Sequence, residues 1–175
     1  MNLSNIVLIG MSGVGKTTVG KALSKKLRME FIDTDELIEI KTGTTIEDIF
    51  SLHGESYFRK LESEVIDELY QRENLIISTG GGIVLNNINI VRLKKRGIIL
   101  LLESSIGNIV NNIIKSENTR PLLNTDRDIY IKVEAMYNDR KNLYLSSADF
   151  IISVDGKSID EIIYEVLVKC VKINS

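Results

Sequence analysis

The sequence predicts a three-layer α/β fold, in which a five-stranded parallel sheet lies between two layers of helices. Two observations support this fold class. Short apolar runs alternate with amphipathic helical segments along the chain, as in a parallel sheet with crossover helices. The first of these runs leads into residues 10–17, Gly-Met-Ser-Gly-Val-Gly-Lys-Thr, which match the pattern G-x-x-x-x-G-K-[ST] at every fixed position. The length of 175 residues suits one domain, and no linker divides it.

The glycine-rich segment lies in the context that a phosphate-binding loop requires. Residues 5–9 form a buried strand before it, and Val19, Leu23 and Leu27 recur after it at helical spacing. Glycines allow successive backbone N–H groups to surround an anion, and the start of the helix adds its positive end. We therefore predict that the chain binds a nucleoside triphosphate. The residues expected to contact it here are Gly13, Val14, Gly15, Lys16, Thr17 and Thr18, with Lys16 reaching the β- and γ-phosphates and the Thr17 hydroxyl binding Mg²⁺.

The other elements follow from apolar periodicity and capping residues. Four further apolar runs predict strands at residues 29–33, 75–79, 98–102 and 150–154. Helices are predicted up to Gly43, from a capping box at Thr44-x-x-Glu47 to a break at His53-Gly54, at 55–72, at 87–96 ending at a C′ glycine, Gly97, at 106–115, at 129–144, and after a capping box at Ser158-x-x-Glu161. Residues 116–128 form a polar stretch with the only proline.

Composition argues against several classes of protein. A net charge of −2 provides no basic surface for nucleic acid. The N-terminus lacks the features of a signal peptide, and the longest apolar run, residues 98–102, is too short to span a membrane. The single cysteine, Cys170, lies on the apolar face of the last helix, where we expect it to pack in the core. These features favour a cytoplasmic protein, and we expect a monomer.

Polar residues follow two of the predicted strands where each strand ends. Asp33 and Asp35 come after the second strand, and Gly80-Gly81-Gly82 follows the third. In parallel sheets ligands bind beyond the carboxyl ends of the strands, so these residues should lie beside the phosphate loop. If residues 33–35 remain extended, both carboxylates point towards that loop, one for Mg²⁺ and one for an acceptor hydroxyl. The alternative is an exposed turn with Asp35 as a helix N-cap. The glycines would permit close backbone approach to a ligand and positive φ.

Four arginines are candidates for anion binding, because a planar guanidinium binds carboxylates and phosphates through two parallel hydrogen bonds. They are Arg59, Arg120, Arg127 and Arg140. Arg120 precedes Pro121 in the polar stretch, where it could neutralise charge that develops during phosphoryl transfer. Sequence position alone does not separate Arg120 from Arg127, and a solvated surface arginine is the alternative for each of them.

Several segments, taken together, resemble the shikimate kinase family within the nucleoside-monophosphate-kinase-like group of P-loop folds. The segments that carry the resemblance are residues 10–17, Asp33-Thr34-Asp35, Phe58-Arg59-x-x-Glu62, Ser78-Thr79-Gly80-Gly81-Gly82, Arg120-Pro121-Leu122-Leu123, and Arg140. They occur in the family's order across nearly the whole chain. The resemblance implies one kinase domain over 1–175, of P-loop kinase type, with a substrate-binding segment at about 33–62 and a mobile lid at about 116–128.

The resemblance also implies a reaction, the transfer of the ATP γ-phosphate to the 3-hydroxyl of shikimate. On the acceptor side, Asp35 would bind the shikimate hydroxyls as the base, Arg59 and Arg140 would hold the carboxylate, and Gly81 and Gly82 would line the pocket. The partners implied are ATP and shikimate, with no nucleic acid and no membrane.

On the phosphate side, the resemblance places Lys16 and Arg120 on the transferring phosphate, with Arg120 also among the ATP contacts. Mg²⁺ would be the cofactor, bound by Thr17 directly and by Asp33 through water.

Two positions depart from the family pattern, both at the adenine end of the site. Ile113 stands where many members have an arginine that stacks on adenine, and Asp155-Gly156-Lys157 lacks the family's proline after the last strand. Two alternatives remain open: another sugar-acid kinase such as a gluconate kinase, and a nucleotide-binding regulator without catalytic activity. A nucleoside monophosphate kinase fits the glycine and Phe-Arg-x-x-Glu segments less well.

Overall fold

The computed structural model describes residues 5–116 and 123–171, and its core is one parallel sheet of five strands. The strands are β1 (Asn5–Ile9), β2 (Glu30–Asp33), β3 (Leu75–Ser78), β4 (Gly97–Glu103) and β5 (Phe150–Ser153). Their spatial order is β2-β3-β1-β4-β5, so β1 is central and pairs with both β3 and β4. The loops that follow β1, β2 and β3 therefore open side by side at one edge of the sheet.

Helices connect the strands, as parallel pairing requires. They are α1 (Lys16–Leu27), α2 (Thr34–Thr42), α3 (Ile46–Leu69), α4 (Asn87–Lys94), α5 (Ile106–Ser116), α6 (Leu123–Ser147) and α7 (Ile159–Val171), with a short 3₁₀ turn at Ile83–Leu85. Among the helices of the described residues, none is both long and apolar enough to cross a membrane.

The central strand contributes to two hydrophobic cores, one on each face of the sheet. Val7 and Ile9 pack with residues of α2 to α6, whereas Ile6 and Leu8 pack with residues of α1 and α7. This alternation follows from the two-residue period of a strand. It confirms the predicted three-layer architecture. Cys170 packs against the second core and remains partly exposed.

Most predicted elements are present, with ends that differ by one or two residues. Gly54, with φ 79° and ψ 172°, interrupts α3 and confirms the predicted break. The capping box at Ser158 and Glu161 is also confirmed, because each residue accepts a backbone N–H of the other. The cap predicted at Thr44 is wrong by one residue, since the Thr45 hydroxyl accepts the Asp48 N–H at 3.1 Å.

The described residues of the predicted polar stretch at 116–128, which are Ser116 and residues 123–128, are helical. α5 continues to Ser116, and α6 begins at Leu123, so the predicted helix start near residue 129 is wrong. Residues 117–122, which include Arg120 and about half of the predicted lid, lie outside the described residues. The polar composition that favours a loop is also that of an exposed helix face, which explains the error.

Gly97 has a different role from the C′ position predicted for it. It is the first residue of β4, opposite Asn5 of β1, and its φ angle is not positive. A Cβ at this position would lie 2.8 Å from the Asn5 carbonyl oxygen. Gly97 is therefore required by the close approach of two strands, which no local pattern indicates.

We predict that Gly97→Ala destabilises the protein by roughly 1–3 kcal/mol, because the new methyl group overlaps backbone that cannot move aside. Gly107→Ala is the matched control, since a Cβ there meets nothing within 4 Å. Urea unfolding of both variants measures the difference. Equal stability of the two variants would contradict the role assigned to Gly97.

Candidate active site

Three glycines give the phosphate loop its backbone conformation, and the side chain of a lysine lies beneath it. Gly10, Gly13 and Gly15 have φ of 140°, 81° and 99°, which side chains rarely adopt. The Lys16 Nζ donates to the carbonyls of Gly10 and Met11 at 2.9 and 2.8 Å. Burial lowers the pKa of Lys16 to about 8, and the nearby carboxylates Asp35 and Asp33 oppose this shift. The buried ammonium thus lies at the base of a loop of backbone N–H groups, an arrangement suited to phosphate.

A carboxylate and two hydroxyls meet beside the first turn of α1. One oxygen of Asp33 accepts from the Thr17 hydroxyl at 2.8 Å and from the Ser78 hydroxyl at 2.9 Å. The other oxygen accepts the Asp35 backbone N–H at 3.1 Å, so Asp33 is the N-cap of α2. The Asp33 side chain is thus fixed from β3, α1 and α2 together. A hydroxyl and a carboxylate at this spacing are oxygen ligands of the kind that Mg²⁺ prefers.

Asp35 lies in the first turn of α2, so residues 33–35 do not remain extended, which is the condition for both carboxylates to point towards the loop. The alternative in which Asp35 is the N-cap is wrong, because Asp33 has that role. Within the described chain, the Oδ1 atom of Asp35 is buried without a hydrogen-bond partner. Burial raises the pKa of Asp35 to about 6, and repulsion from Asp33 adds to the shift. A buried carboxylate with an unpaired oxygen and a raised pKa is suited to accept a proton.

Arg59 lies between two glutamates of its own helix, α3. Its Nη1 donates to Glu62 at 3.0 Å, while its Nε and Nη2 donate to one oxygen of Glu55 at 3.2 and 3.0 Å. Glu62 is fully buried, and its second oxygen has no hydrogen-bond partner in the described part of the chain. Burial raises the pKa of Glu62, although Arg59 opposes the shift. Arg59 is therefore anchored on one side by a carboxylate that water does not reach.

The three-glycine turn after β3 brings these groups together. A Cβ on Gly80 would lie 2.5 Å from an oxygen of Asp35, and one on Gly81 would lie 3.1 Å from the backbone nitrogen of Ser12 in the phosphate loop. A Cβ on Gly82 would lie 2.2 Å from the Arg59 Nη2. The close approach seen here is to protein groups, and the predicted backbone approach to a ligand stays a prediction. The expected positive φ is wrong, because none of the three has it.

Two residues of α6 donate hydrogen bonds to the same backbone carbonyl in this turn. The Arg140 Nη1 donates to the Gly81 carbonyl at 3.4 Å, and the Tyr144 hydroxyl donates to that oxygen too. Tyr144 is buried, and this burial raises the pKa of its hydroxyl. It follows Arg140 by one helical turn, which places both side chains on one face of α6. Sequence reasoning missed Tyr144, although this spacing from Arg140 is a signal that could have found it.

The phosphate loop and the acidic residues line one cleft of about 440 Å³. Of the predicted site residues, Gly13, Gly15, Lys16, Thr17, Thr18, Asp33, Asp35 and Gly81 line it. Arg59 lines a neighbouring depression with Glu55, and Arg140 reaches the cleft through the Gly81 carbonyl. Val14 is buried in the second core. Arg127 is exposed and lines a separate groove between α5 and α6, which separates it from the other candidates.

The two positions that depart from the family pattern have their own contacts. Ile113 packs against the phosphate loop, where a Cβ on Gly13 would lie 2.8 Å from it. Its neighbour Asn112, which sequence reasoning missed, donates to the Gly13 carbonyl at 2.9 Å. Asp155 accepts from the Ser105 backbone N–H at 2.8 Å and the Asn108 amide at 2.9 Å, which ties the loop after β5 to the start of α5.

Comparison with known proteins gives consistent results. The family model for shikimate kinase matches residues 12–171. A shikimate kinase of Caldanaerobacter subterraneus subsp. tengcongensis is 42% identical over 171 residues, which are 98% of each chain. The structure of a shikimate kinase from Acinetobacter baumannii in complex with shikimate has a TM-score of 0.88 at 35% identity, covering 98% of this chain and 94% of the other.

A gluconokinase from Sinorhizobium meliloti is similar in fold alone. Its TM-score is 0.57 at 15% identity, with 98% of this chain and 93% of the other covered. The similarity therefore bears on architecture and gives no support to a gluconate substrate.

We predict that Asp35→Asn stabilises the protein at pH 7 by about 1–3 kcal/mol. The folded-state pKa of Asp35, about 6, lies above its ordinary value of 3.8, so the folded state binds more protons between these pH values. Ionisation of Asp35 therefore lowers the free energy of unfolding. This loss has its full size above pH 6 and is absent below about pH 4. Urea unfolding at pH 7 and pH 4 measures the difference, which should disappear at the lower pH.

Asp67→Asn is the control, because Asp67 lies at the surface in an ion pair with Arg92. An Asp35→Asn variant that is less stable than the parent at pH 7 would show that burial does not destabilise the ionised form of this carboxylate.

Proposed function

The chain belongs to the shikimate kinase family, and we propose that its cleft transfers the γ-phosphoryl group of ATP to the 3-hydroxyl of shikimate, giving shikimate 3-phosphate and ADP. One observation supports this most directly. The glycine turn after β3 contacts the phosphate loop, Asp35 and Arg59 at the same time, so groups for both substrates lie within reach of each other. Phosphoryl transfer depends mainly on such positioning and on charge stabilisation.

Residues of the phosphate loop hold the nucleotide in this proposal. Gly13, Val14, Gly15 and Thr18 surround the phosphates with backbone N–H groups, and Lys16 exchanges its carbonyl partners for phosphate oxygens. With a pKa near 8, Lys16 carries its charge at neutral pH. Its position in a buried site strengthens its interaction with charge that develops on the transferring group.

Thr17 and Asp33 fit a magnesium site, because they present a hydroxyl and a carboxylate that already lie 2.8 Å apart. Thr17 would be the direct ligand, with Asp33 holding a metal-bound water. Mg²⁺, when bound, neutralises negative charge on the phosphates. Asp33 is held by Ser78 and by the start of α2, so the donor set is positioned before any ligand arrives.

Asp35 is the proposed base for the acceptor hydroxyl. Its unpaired Oδ1 is free to accept the hydroxyl proton, and its pKa of about 6 keeps it ionised at neutral pH. A pKa close to the working pH is the condition for efficient proton transfer.

Arg59 and Arg140 are the proposed partners of the shikimate carboxylate, with Gly81 and Gly82 as the wall of the pocket. Glu62 fixes Arg59 from the buried side, and the Gly81 carbonyl orients Arg140. Two guanidinium groups suit a monoanionic polyol, since one binds the carboxylate in bidentate fashion and the second balances the buried charge.

Arg120, which lies outside the described residues, is proposed to contact the ATP phosphates and to neutralise charge on the transferring group, in a lid at about 116–128. We also propose a single kinase domain that acts as a cytoplasmic monomer, with the substrate-binding segment at about 33–62. A regulator that only binds nucleotide would use Lys16, Thr17 and Asp33 but has no use for the buried carboxylate of Asp35, which favours the enzyme.

A coupled assay of ADP release tests the proposal. We expect release that depends on shikimate, and no comparable release with gluconate or a nucleoside monophosphate. Release with gluconate alone would favour the sugar-acid kinase alternative, and nucleotide binding without turnover on any acceptor would favour the regulator.

Two arginine substitutions separate the proposed roles. Arg59→Ala removes a carboxylate partner, so the KM for shikimate should rise by about ten- to a hundredfold. Arg120→Ala should instead lower kcat by about 10³-fold or more, with a smaller change in shikimate binding. Arg92→Ala is the control, because Arg92 pairs with Asp67 on the surface. Steady-state kinetics with the reverse pattern would reject these assignments.

A further inference from the structure

The proposed function assigns Arg59 to the substrate carboxylate. One edge of its guanidinium group, formed by Nε and Nη2, is already occupied by a carboxylate of the protein, that of Glu55. Both nitrogen atoms converge on one oxygen of Glu55, at 3.2 and 3.0 Å. This edge of a guanidinium is one of the two that bind a carboxylate through parallel hydrogen bonds. At the other edge, Nη1 donates to Glu62, and a Cβ on Gly82 would lie 2.2–2.5 Å from Nη1, Nη2 and Cζ. An incoming carboxylate therefore has the Glu55 edge as its open approach.

The two glutamates that contact Arg59 differ in how firmly they are held. The Glu62 side chain is 0% exposed, whereas that of Glu55 is 57% exposed. Because Glu55 is exposed, water competes for its charge, and an i,i+4 ion pair with such a partner is weak. Glu55 also directly follows Gly54, where the backbone leaves helical geometry. Glu62 is thus a fixed anchor, and Glu55 is a partner that another carboxylate can replace.

We propose that Glu55 is an internal competitor of the substrate carboxylate for Arg59. In the free protein it satisfies the guanidinium, and a bound acid must displace it or share the arginine with it. Its negative charge therefore weakens the affinity for an anionic acceptor and limits the site's tolerance of additional negative charge. The inference rests on the proposed function of Arg59. The opposite role, in which Glu55 positions Arg59 for binding, predicts a change of opposite sign.

Glu55→Gln tests this inference, because the amide keeps the shape of the side chain and removes its charge. We expect the KM for shikimate to fall about two- to fivefold, the range that an exposed ion pair allows. Glu64→Gln is the matched control. Glu64 lies on the same helix, is 56% exposed and pairs with Lys60 at 3.8 Å, so its removal changes the net charge equally and should leave the KM unchanged.

A neutral analogue distinguishes competition at Arg59 from a general effect. When the carboxylate of shikimate is replaced by a hydroxymethyl group, Glu55→Gln should not lower the inhibition constant of the analogue. An equal improvement for the neutral analogue would overturn the inference.

A raised or unchanged KM for shikimate in Glu55→Gln would also overturn it, with the raised value indicating a positioning role. If the parent protein shows no ADP release that depends on shikimate, the proposed function fails and this inference with it. If the parent is active but Glu55→Gln does not lower the KM, only the inference fails.

Discussion

The absence of side chains at the turn after β3 is the constraint on which the site depends. Gly80 leaves room for Asp35, Gly81 for the phosphate loop, and Gly82 for the Arg59 guanidinium. Parallel pairing of β1 with β3 brings this turn beside the phosphate loop, because paired strands end at the same edge. A Cβ at any of the three positions would push a functional group away from the others. The glycine turn thus lets the phosphate loop lie close to Asp35 and Arg59.

Burial of charge follows from this close packing and gives the groups their chemistry. Lys16 has a lowered pKa, while Asp35 and Glu62 have raised ones, and burial is the first cause for all three. Each shift has a stability cost, since the charged form loses hydration. The same loss of water strengthens the interaction of these groups with a substrate. Burial of the ionised Asp35 carboxylate therefore both lowers the stability of the protein and makes this carboxylate a better proton acceptor.

The departures from the family pattern are accommodated by local contacts. Ile113 fills the space beside Gly13, and Asp155 ties the loop after β5 to α5 through several hydrogen bonds. Burial tends to raise the pKa of Asp155, but hydrogen bonds from Ser104 and Asn108 lower it to about 2. The carboxylate is therefore ionised at neutral pH and keeps these bonds. Such contacts can hold this loop in place where a proline would otherwise stiffen it.

The sequence alone determined the layers, the strands and the phosphate loop, because these depend on local patterns: periodicity of two or 3.6 residues and a glycine motif with fixed spacing. It also indicated Asp33, Asp35 and Arg59 as a group, through the rule for strand ends and through a family resemblance. It did not indicate that Asp33 caps α2, that Gly97 is pressed against Asn5, or that Tyr144 shares a carbonyl with Arg140.

Only the tertiary structure decided these roles. Asp33 and Ser78 are 45 positions apart, Gly81 and Tyr144 are 63 apart, and Gly13 and Asn112 are 99 apart. Hydrogen bonds over such separations depend on strand order and helix packing, which no short segment encodes. Burial likewise belongs to the folded chain, so the pKa of Asp35 and the contrast between Glu55 and Glu62 arise only when the layers close around them.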